Sequence, residues 1–216
     1  TSHITYRGRD LESIGRASSF GGNIRAMVRG AWGFASFNDV TDLESRVASA
    51  VSMAQFAGHG ETRLSEAAPI IDSVPLEIER PPVDIPLTDK KALMDEYNEV
   101  LWGTPNIRTS VIGYGDGERT TVYVNSLGSL IRQERADVTL RIAAIAAADG
   151  EVQQAGVSIG SKGNFDVVRG RHDEVAGLAQ RAVALLAAPS PQPYHSRHEP
   201  LHRHRRRHQR HQGRSP

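Results

Sequence analysis

The sequence predicts an α+β fold, with antiparallel strand runs kept apart from a few amphipathic helices. Three observations carry this. Between residues 106 and 168, extended apolar runs are broken by Asp-Gly and Ser-Leu-Gly-Ser segments, the pattern of hairpins. Stretches at 41–58, 88–103 and 172–188 repeat apolar residues at helical spacing. Strands also arrive in runs rather than alternating singly with helices, which excludes a βαβ repeat.

From the N-terminus, "HITYRG" and "DLESIGR" read as the two strands of a first hairpin. "NIRAMV" and "GFASF" form a second, turning near Gly30, with Ile24, Ala26 and Val28 alternating against Asn23, Arg25 and Met27. "TDLESRVASAVSMAQFAG" (41–58) predicts a helix opened by a Thr41/Glu44 capping box and closed by Gly58 and Gly60. Leu43, Val47, Ala50, Val51, Met53 and Ala54 supply its apolar stripe. Residues 59–87 form a connector in which five prolines bar a long helix, and "PLEIERPPVDIPL" holds one short strand. "TDKKALMDEYNEVLWG" (88–103) is the second helix, capped by Thr88 and stopped by Gly103.

"IRTSVIGYG", "RTTVYVNS", "SLIRQERADVTLRIAAIAA" and "EVQQAGVSIGS" then read as successive strands, with turns at Asp116-Gly117, 126–129 and Asp149-Gly150. "HDEVAGLAQRAVALLAA" (172–188) returns as a helix with Val175, Leu178, Ala182, Leu185 and Leu186 on one side. The organisation expected is an N-terminal α+β subdomain (1–74), a proline-rich connector (75–87), a middle α+β subdomain (88–188) and a tail (189–216). The tail's only sizeable apolar side chains are Tyr194 and Leu201, and it holds seven arginines, six histidines and one glutamate. So little apolar surface cannot offset the entropy of ordering, and the composition predicts disorder.

The 216 residues, 38% hydrophobic, suffice for one sizeable core or two small ones. The formal net charge of +1 hides an asymmetry, because the basic tail leaves the preceding body acidic. With no cysteine, disulfides and thiolate metal sites are excluded. No apolar run reaches the roughly 18 residues needed to cross a bilayer, and no partner in a membrane is expected. The first residue is Thr1 rather than methionine, so the chain reads as a fragment.

One motif invites a catalytic reading. "HEPLH" (198–202) fits H-E-x-x-H, in which two histidines hold zinc and the glutamate activates a water. A working site needs His198 and His202 one helical turn apart on a rigid face, with Glu199 beside them and a third ligand from elsewhere. Pro200 stands between them, removing an amide donor at a cost of about 3 kcal/mol inside a helix. Six histidines within the tail make a chance match unsurprising. His198, Glu199 and His202 are therefore read as a decoy, with only weak, unselective metal binding by the tract.

Nothing else in the sequence composes a catalytic or metal site. His3, His59 and His172 are scattered surface or turn residues. "GYGDGE" (113–118) resembles a phosphate loop but leads into a strand, not a helix N-terminus. "SIGSKGNF" (158–165) reads as a solvated turn that could at most hold an anion. Glu134, Asp137, Asp149 and Glu151 lie in or beside strands without the pairing that acid–base catalysis needs. The basic tail could meet nucleic acid only through phosphates, and with no stacking platform a nucleic-acid partner is not expected. Trp32, Phe34 and Phe37 read as core or interface aromatics.

Taken in order, several segments resemble the TldD/PmbA family, proteins also called modulators of DNA gyrase. They are "GGNIRAMVRGAWGFASFND" (21–39), the helix at 41–58, "PVDIPLTDKKALMDEYNEVL" (82–101) and "VYVNSLGSLIRQERADVTLRIAAIAAADGEVQQAG" (122–156). "SLGSLIRQERADVTL" is similar to the TldD branch. The resemblance covers residues 3–188, the family's N-terminal and middle regions. It implies a cytoplasmic zinc metallopeptidase acting on unfolded or modified peptides, as a homodimer or a heterodimer with a related subunit. In the family, zinc sits in a C-terminal domain, on a helical His-Glu-x-x-x-His motif and a later cysteine. "HEPLH" is one residue too short for this motif and no cysteine follows. The resemblance therefore gives no catalytic or metal residue here, and no cofactor in this chain.

The expected function is the N-terminal portion of a TldD-like zinc metallopeptidase, helping to form the dimer and the substrate channel and inactive by itself. The Arg/His/Gln/Pro/Ser tail is the composition a GC-rich gene yields out of frame, so a frameshift is expected to have replaced the C-terminal domain. Resequencing that found one intact frame, with no homologous frame downstream, would remove that idea. The rival is a noncatalytic scaffold module whose tail binds metal or nucleic acid.

Overall fold

The computed structural model describes residues 1–187. The tail, with His198, Glu199 and His202 and the disorder expected for it, lies outside the described residues. Strands β1 (Ser2–Arg7) and β2 (Asp10–Arg16) form the first hairpin, and β3 (Gly22–Val28) and β4 (Ala31–Phe37) the second. They are followed by α1 (Leu43–Phe56), β5 (Ile71–Val74) and α2 (Leu87–Trp102). Then come β6 (Ile107–Val124), β7 (Leu130–Ala148), β8 (Glu151–Ser161) and α3 (His172–Leu186). The α+β class and its three helices stand as the sequence predicts.

A six-stranded sheet organises the molecule, in the order β2-β1-β6-β7-β5, with β8 also pairing β7. β7 is long enough to serve two neighbours on one edge. Its first residues pair β5 in parallel (Ile71 with Leu130), and Val138–Ala148 pair β8 antiparallel. β1 pairs β6 through residues 111–116. The proline-rich 75–87 thus lies between stretches of chain that meet in one sheet. β3 and β4 form a separate two-stranded sheet.

Alternation along β6 and β7 places Ile112, Tyr114, Val138, Leu140, Ile142 and Ala144 on one face, all buried. α2 and α3 cover that face with Met94, Tyr97, Leu101, Val175, Leu178, Ala179 and Ala182. Each large aliphatic side chain fully buried there contributes about 1.5–3 kcal/mol through removal from water.

Several expectations are corrected. Asp116-Gly117 is not a turn: β6 runs straight through it, Asp116 pairing Val138 and Gly117 pairing Asp137. A hairpin signal is only a local preference, and here β1 and β7 flank the segment on both sides. Where the Asp-Gly pair does stand between two strands, at 149–150, both residues adopt positive φ (51° and 84°) and the hairpin forms. The Thr41/Glu44 capping box is absent. The Thr41 hydroxyl donates to the Asp39 carboxylate, and α1 starts at Leu43 without a side-chain cap. Thr88 does not cap α2, which begins at Leu87 behind Pro86, while its hydroxyl reaches Asp89 at 3.2 Å. The short strand lies at 71–74, before the prolines, whose Pro82–Asp84 form a 3-10 turn.

The stripe foreseen on α1 is narrower than expected. Ala50 and Ala54 are fully buried, while Val47 and Met53 are about half exposed. The cause is Gly33 on β4: a Cβ there would stand 1.9 Å from the Ala50 carbonyl oxygen. Helix and hairpin touch backbone to backbone, so only small side chains fit between them.

Candidate functional site

Lys90, Met94, Tyr97 and Leu101 fall on one face of α2 and are fully buried. A lysine on that stripe needs a charge partner. Asp116 on β6 supplies one: Lys90 Nζ lies 2.6 Å from its Oδ2, with side chains 0% and 3% exposed. The Tyr114 hydroxyl donates to the same oxygen at 2.6 Å, and Ser2 Oγ lies 3.4 Å from the ammonium. Sequence reasoning missed this cluster: a lysine on the apolar stripe of the second helix was its one signal, and Asp116 was read as part of a turn. The cluster joins α2, β6 and the start of β1.

Burial, and then the hydrogen bond to Asp116, push the Tyr114 hydroxyl far above its ordinary pKa. Tyr97 is also raised, first by burial; its hydroxyl donates to the Val168 carbonyl at 2.6 Å and accepts from the Arg171 amide. Tyr6 is raised by burial and by its bond to Asp95. The unfolded tyrosines ionise near pH 10 while the folded ones hold their protons, so stability is complete below that pH and falls above it. Urea midpoints between pH 8 and 11 should be level at first and then drop; a flat profile to pH 11 would contradict these environments.

Two clefts flank the sheet. One of about 260 Å³ borders the ion pair, lined by Ser2, Asp116, Glu118, Arg119, Asp137 and Thr139. Desolvation, and then Asp84, raise Glu118 within it. The other, about 650 Å³, opens between α2 and the start of α3, lined by Arg80, Asp89, Leu93, Glu96, Phe165 and His172. His172 Nε2 meets Glu96 there at 2.9 Å.

The residues singled out in sequence are not brought together. His3 sits exposed on β1, His59 follows α1 and His172 opens α3. Asp137 is exposed on β7, while Asp149 and Glu151 are exposed on either side of Gly150 in the β7–β8 turn. Glu134 is held below its ordinary pKa, first by the Leu76 amide and then by Arg132. "GYGDGE" is interior to β6. In "SIGSKGNF" the Asn164 side chain accepts from the Asp166 amide at 3.0 Å, which makes it a capped turn. Phe34 is not core: it is 50% exposed, with Trp32, under the Arg25 guanidinium at 5.7 and 4.6 Å. Phe37 instead packs against Phe20.

Among the described residues, no three His, Cys, Asp or Glu side chains converge as a metal-binding group. Zinc therefore does not fit this part of the chain, and no chemical step is assigned to it. Among the same residues no helix is long and apolar enough to cross a membrane.

Comparison with known proteins gives these features a context. Residues 1–54 match domain 1 of the PmbA/TldA metallopeptidases, and residues 80–188 match their central domain. A metalloprotease of Synechocystis sp. is 34% identical over 194 residues, 88% of this chain and 42% of its own length. One from Methanothermobacter thermautotrophicus is 29% identical over 195 residues, again 88% and 42%. The chain thus spans less than half the length of the curated relatives it matches. The fold recurs in a modulator of a DNA gyrase from Thermotoga maritima (TM-score 0.69, 16% identity, 88% of this chain and 44% of that one). It recurs also in TldE from Thermococcus kodakarensis (TM-score 0.61, 16% identity, 85% and 41%). The chain belongs to the PmbA/TldD metallopeptidase family.

Proposed function

We propose that this chain is the N-terminal and central portion of a TldD-like zinc metallopeptidase that cleaves peptides. In this reading it contributes to dimerisation and to the walls of the substrate channel, and it has no hydrolytic activity of its own. The observation that carries it is the apolar end of β6–β7. Val122, Val124 and Leu130, with Ile71 of the neighbouring β5, lie on one face and are all about half exposed or more, an expanse suited to contact with further protein. The family match supports the peptidase assignment, and the scattered histidines support a catalytic centre elsewhere.

The partner in this reading is a second subunit of the same family, either a copy of this chain or a related one. The cysteine-free sequence suits the reducing cytoplasm in which we place it. The scaffold alternative is not favoured, because the curated relatives that match 88% of this chain are named metalloproteases. Hydrolysis of an unfolded peptide tests the proposal: no cleavage is expected from this chain, and cleavage by residues 1–188 would overturn it.

A further inference from the structure

The larger cleft carries opposite charges on its two walls. α2 presents Asp89, Leu93 and Glu96 to it, at i, i+4 and i+7 and so on one side of the helix. The other wall is the chain from Phe165 to His172, with Arg80 beside it where the Phe165 amide donates to the Arg80 carbonyl at 3.4 Å. Arg80 and Arg169 are the cations of that wall.

These charges do not neutralise one another across the space. Arg80 and Arg169 both reach Asp166 Oδ1, at 3.5 and 3.4 Å. One carboxylate thus serves two guanidiniums, and a positive charge is left over. Glu96 meets His172 at 2.9 Å, and Asp89 accepts from the Thr88 hydroxyl at 3.2 Å. Among the described residues no ion pair joins either acid of α2 to either arginine. Ile85, Ala92, Leu93 and Phe165 give the same cleft an apolar lining.

The walls are fixed from behind. Phe165 is buried edge-on against Tyr114, and His172 packs edge-on against Tyr97. The Tyr97 hydroxyl ties α2 to Val168 and Arg171, one on each side of Arg169. Little ordering of the walls is left to oppose binding. The volume, about 650 Å³, lies within the roughly 300–1,000 Å³ of small-molecule sites. A ligand that satisfies both walls has a cation at one end, an anion at the other and an apolar body between them. A short apolar peptide with free termini has that chemistry, whereas a free amino acid carries both charges on one carbon.

We propose that the cleft between α2 and the start of α3 binds short apolar peptides end to end, with the free ammonium on Asp89 and Glu96 and the free carboxylate on Arg80 and Arg169. Binding needs no catalytic centre, so it is independent of the peptidase reading. Isothermal titration calorimetry of the full chain tests it, with leucyl-leucine, its N-acetyl form and its C-terminal amide as probes.

Leucyl-leucine should bind, and either cap should weaken it at least about tenfold, because a charge-assisted contact is lost. Glu96→Gln should weaken leucyl-leucine by a similar factor yet leave the N-acetyl form, which has no ammonium to lose, unchanged. Arg169→Gln should likewise spare the amide. Both side chains are about half exposed, so these variants should keep wild-type unfolding midpoints. Ala92→Trp, at an exposed position of the lining, should abolish binding of leucyl-leucine by filling the cleft. No heat with leucyl-leucine, or binding indifferent to both caps, would overturn the proposal. Binding that survives Ala92→Trp would place the ligand elsewhere and overturn it too. Variants that weaken capped and uncapped peptides alike would overturn the assignment of the two ends.

Discussion

Asp116→Ala is expected to lower the unfolding free energy by about 3–5 kcal/mol, because it strands a buried ammonium. Lys90 is fully buried on α2 and its nearest carboxylate is Asp116 at 2.6 Å. Tyr114 would lose the acceptor of its 2.6 Å hydrogen bond at the same time. Asp116→Asn keeps an acceptor and should cost less. A Lys90→Met/Asp116→Leu double variant should approach wild-type stability, since the desolvation of both charges disappears together. Urea unfolding measures all three. A double variant as unstable as Asp116→Ala would show that packing, not the stranded charge, sets the loss.

Gly33→Val should separate α1 from the β3–β4 hairpin. The added Cβ would lie 1.9 Å from the Ala50 carbonyl oxygen and 2.5 Å from the Ala54 amide nitrogen, both backbone atoms of one helix. No rotamer relieves a clash with backbone, so the helix must move bodily. The cost should reach or exceed the roughly 1–3 kcal/mol typical of overpacked cores. The β3–β4–α1 unit buries few residues, Ala31, Ala50 and Ala54 among them, so its contact with the helix is most of what holds it. Hydrogen exchange should show protection lost across 43–56 while β6, β7 and α3 keep theirs. Unchanged protection in α1 would mean that the helix does not rest on Gly33.

Much of the fold was legible because its signals are local and strong. The turns at 126–129 and Asp149-Gly150, and the apolar stripes of α2 and α3, need no tertiary partner to be recognised. The misreadings fall where tertiary contacts outweigh local preference. Asp116-Gly117 has the residues of a turn, yet neighbouring strands on both sides and the charge of Lys90 hold it extended inside an 18-residue strand. Thr41 and Glu44 have the right spacing for a capping box, but Asp39 captures the hydroxyl first. The parallel pairing of β5 with β7 joins residues about sixty positions apart, and no pattern within either strand announces it.

The site was less legible than the fold. The Lys90–Asp116–Tyr114–Ser2 cluster assembles from three elements far apart in sequence, so no spacing rule could find it. The motif that looked most like chemistry, His198-Glu199-Pro200-Leu201-His202, lies outside the described residues and draws no support from the fold. The family resemblance in the order of segments proved a better guide than any single motif.

We propose that this chain supplies architecture to a metallopeptidase and not its catalytic centre. Zinc content and cleavage of an unfolded peptide, compared for the whole chain and for a version ending at Ala188, test it most directly. The account predicts that neither protein cleaves the peptide and that any zinc bound is lost with the tail. Cleavage by either would contradict it, and its abolition by Glu199→Gln in the whole chain would move the active site to the motif read here as a decoy.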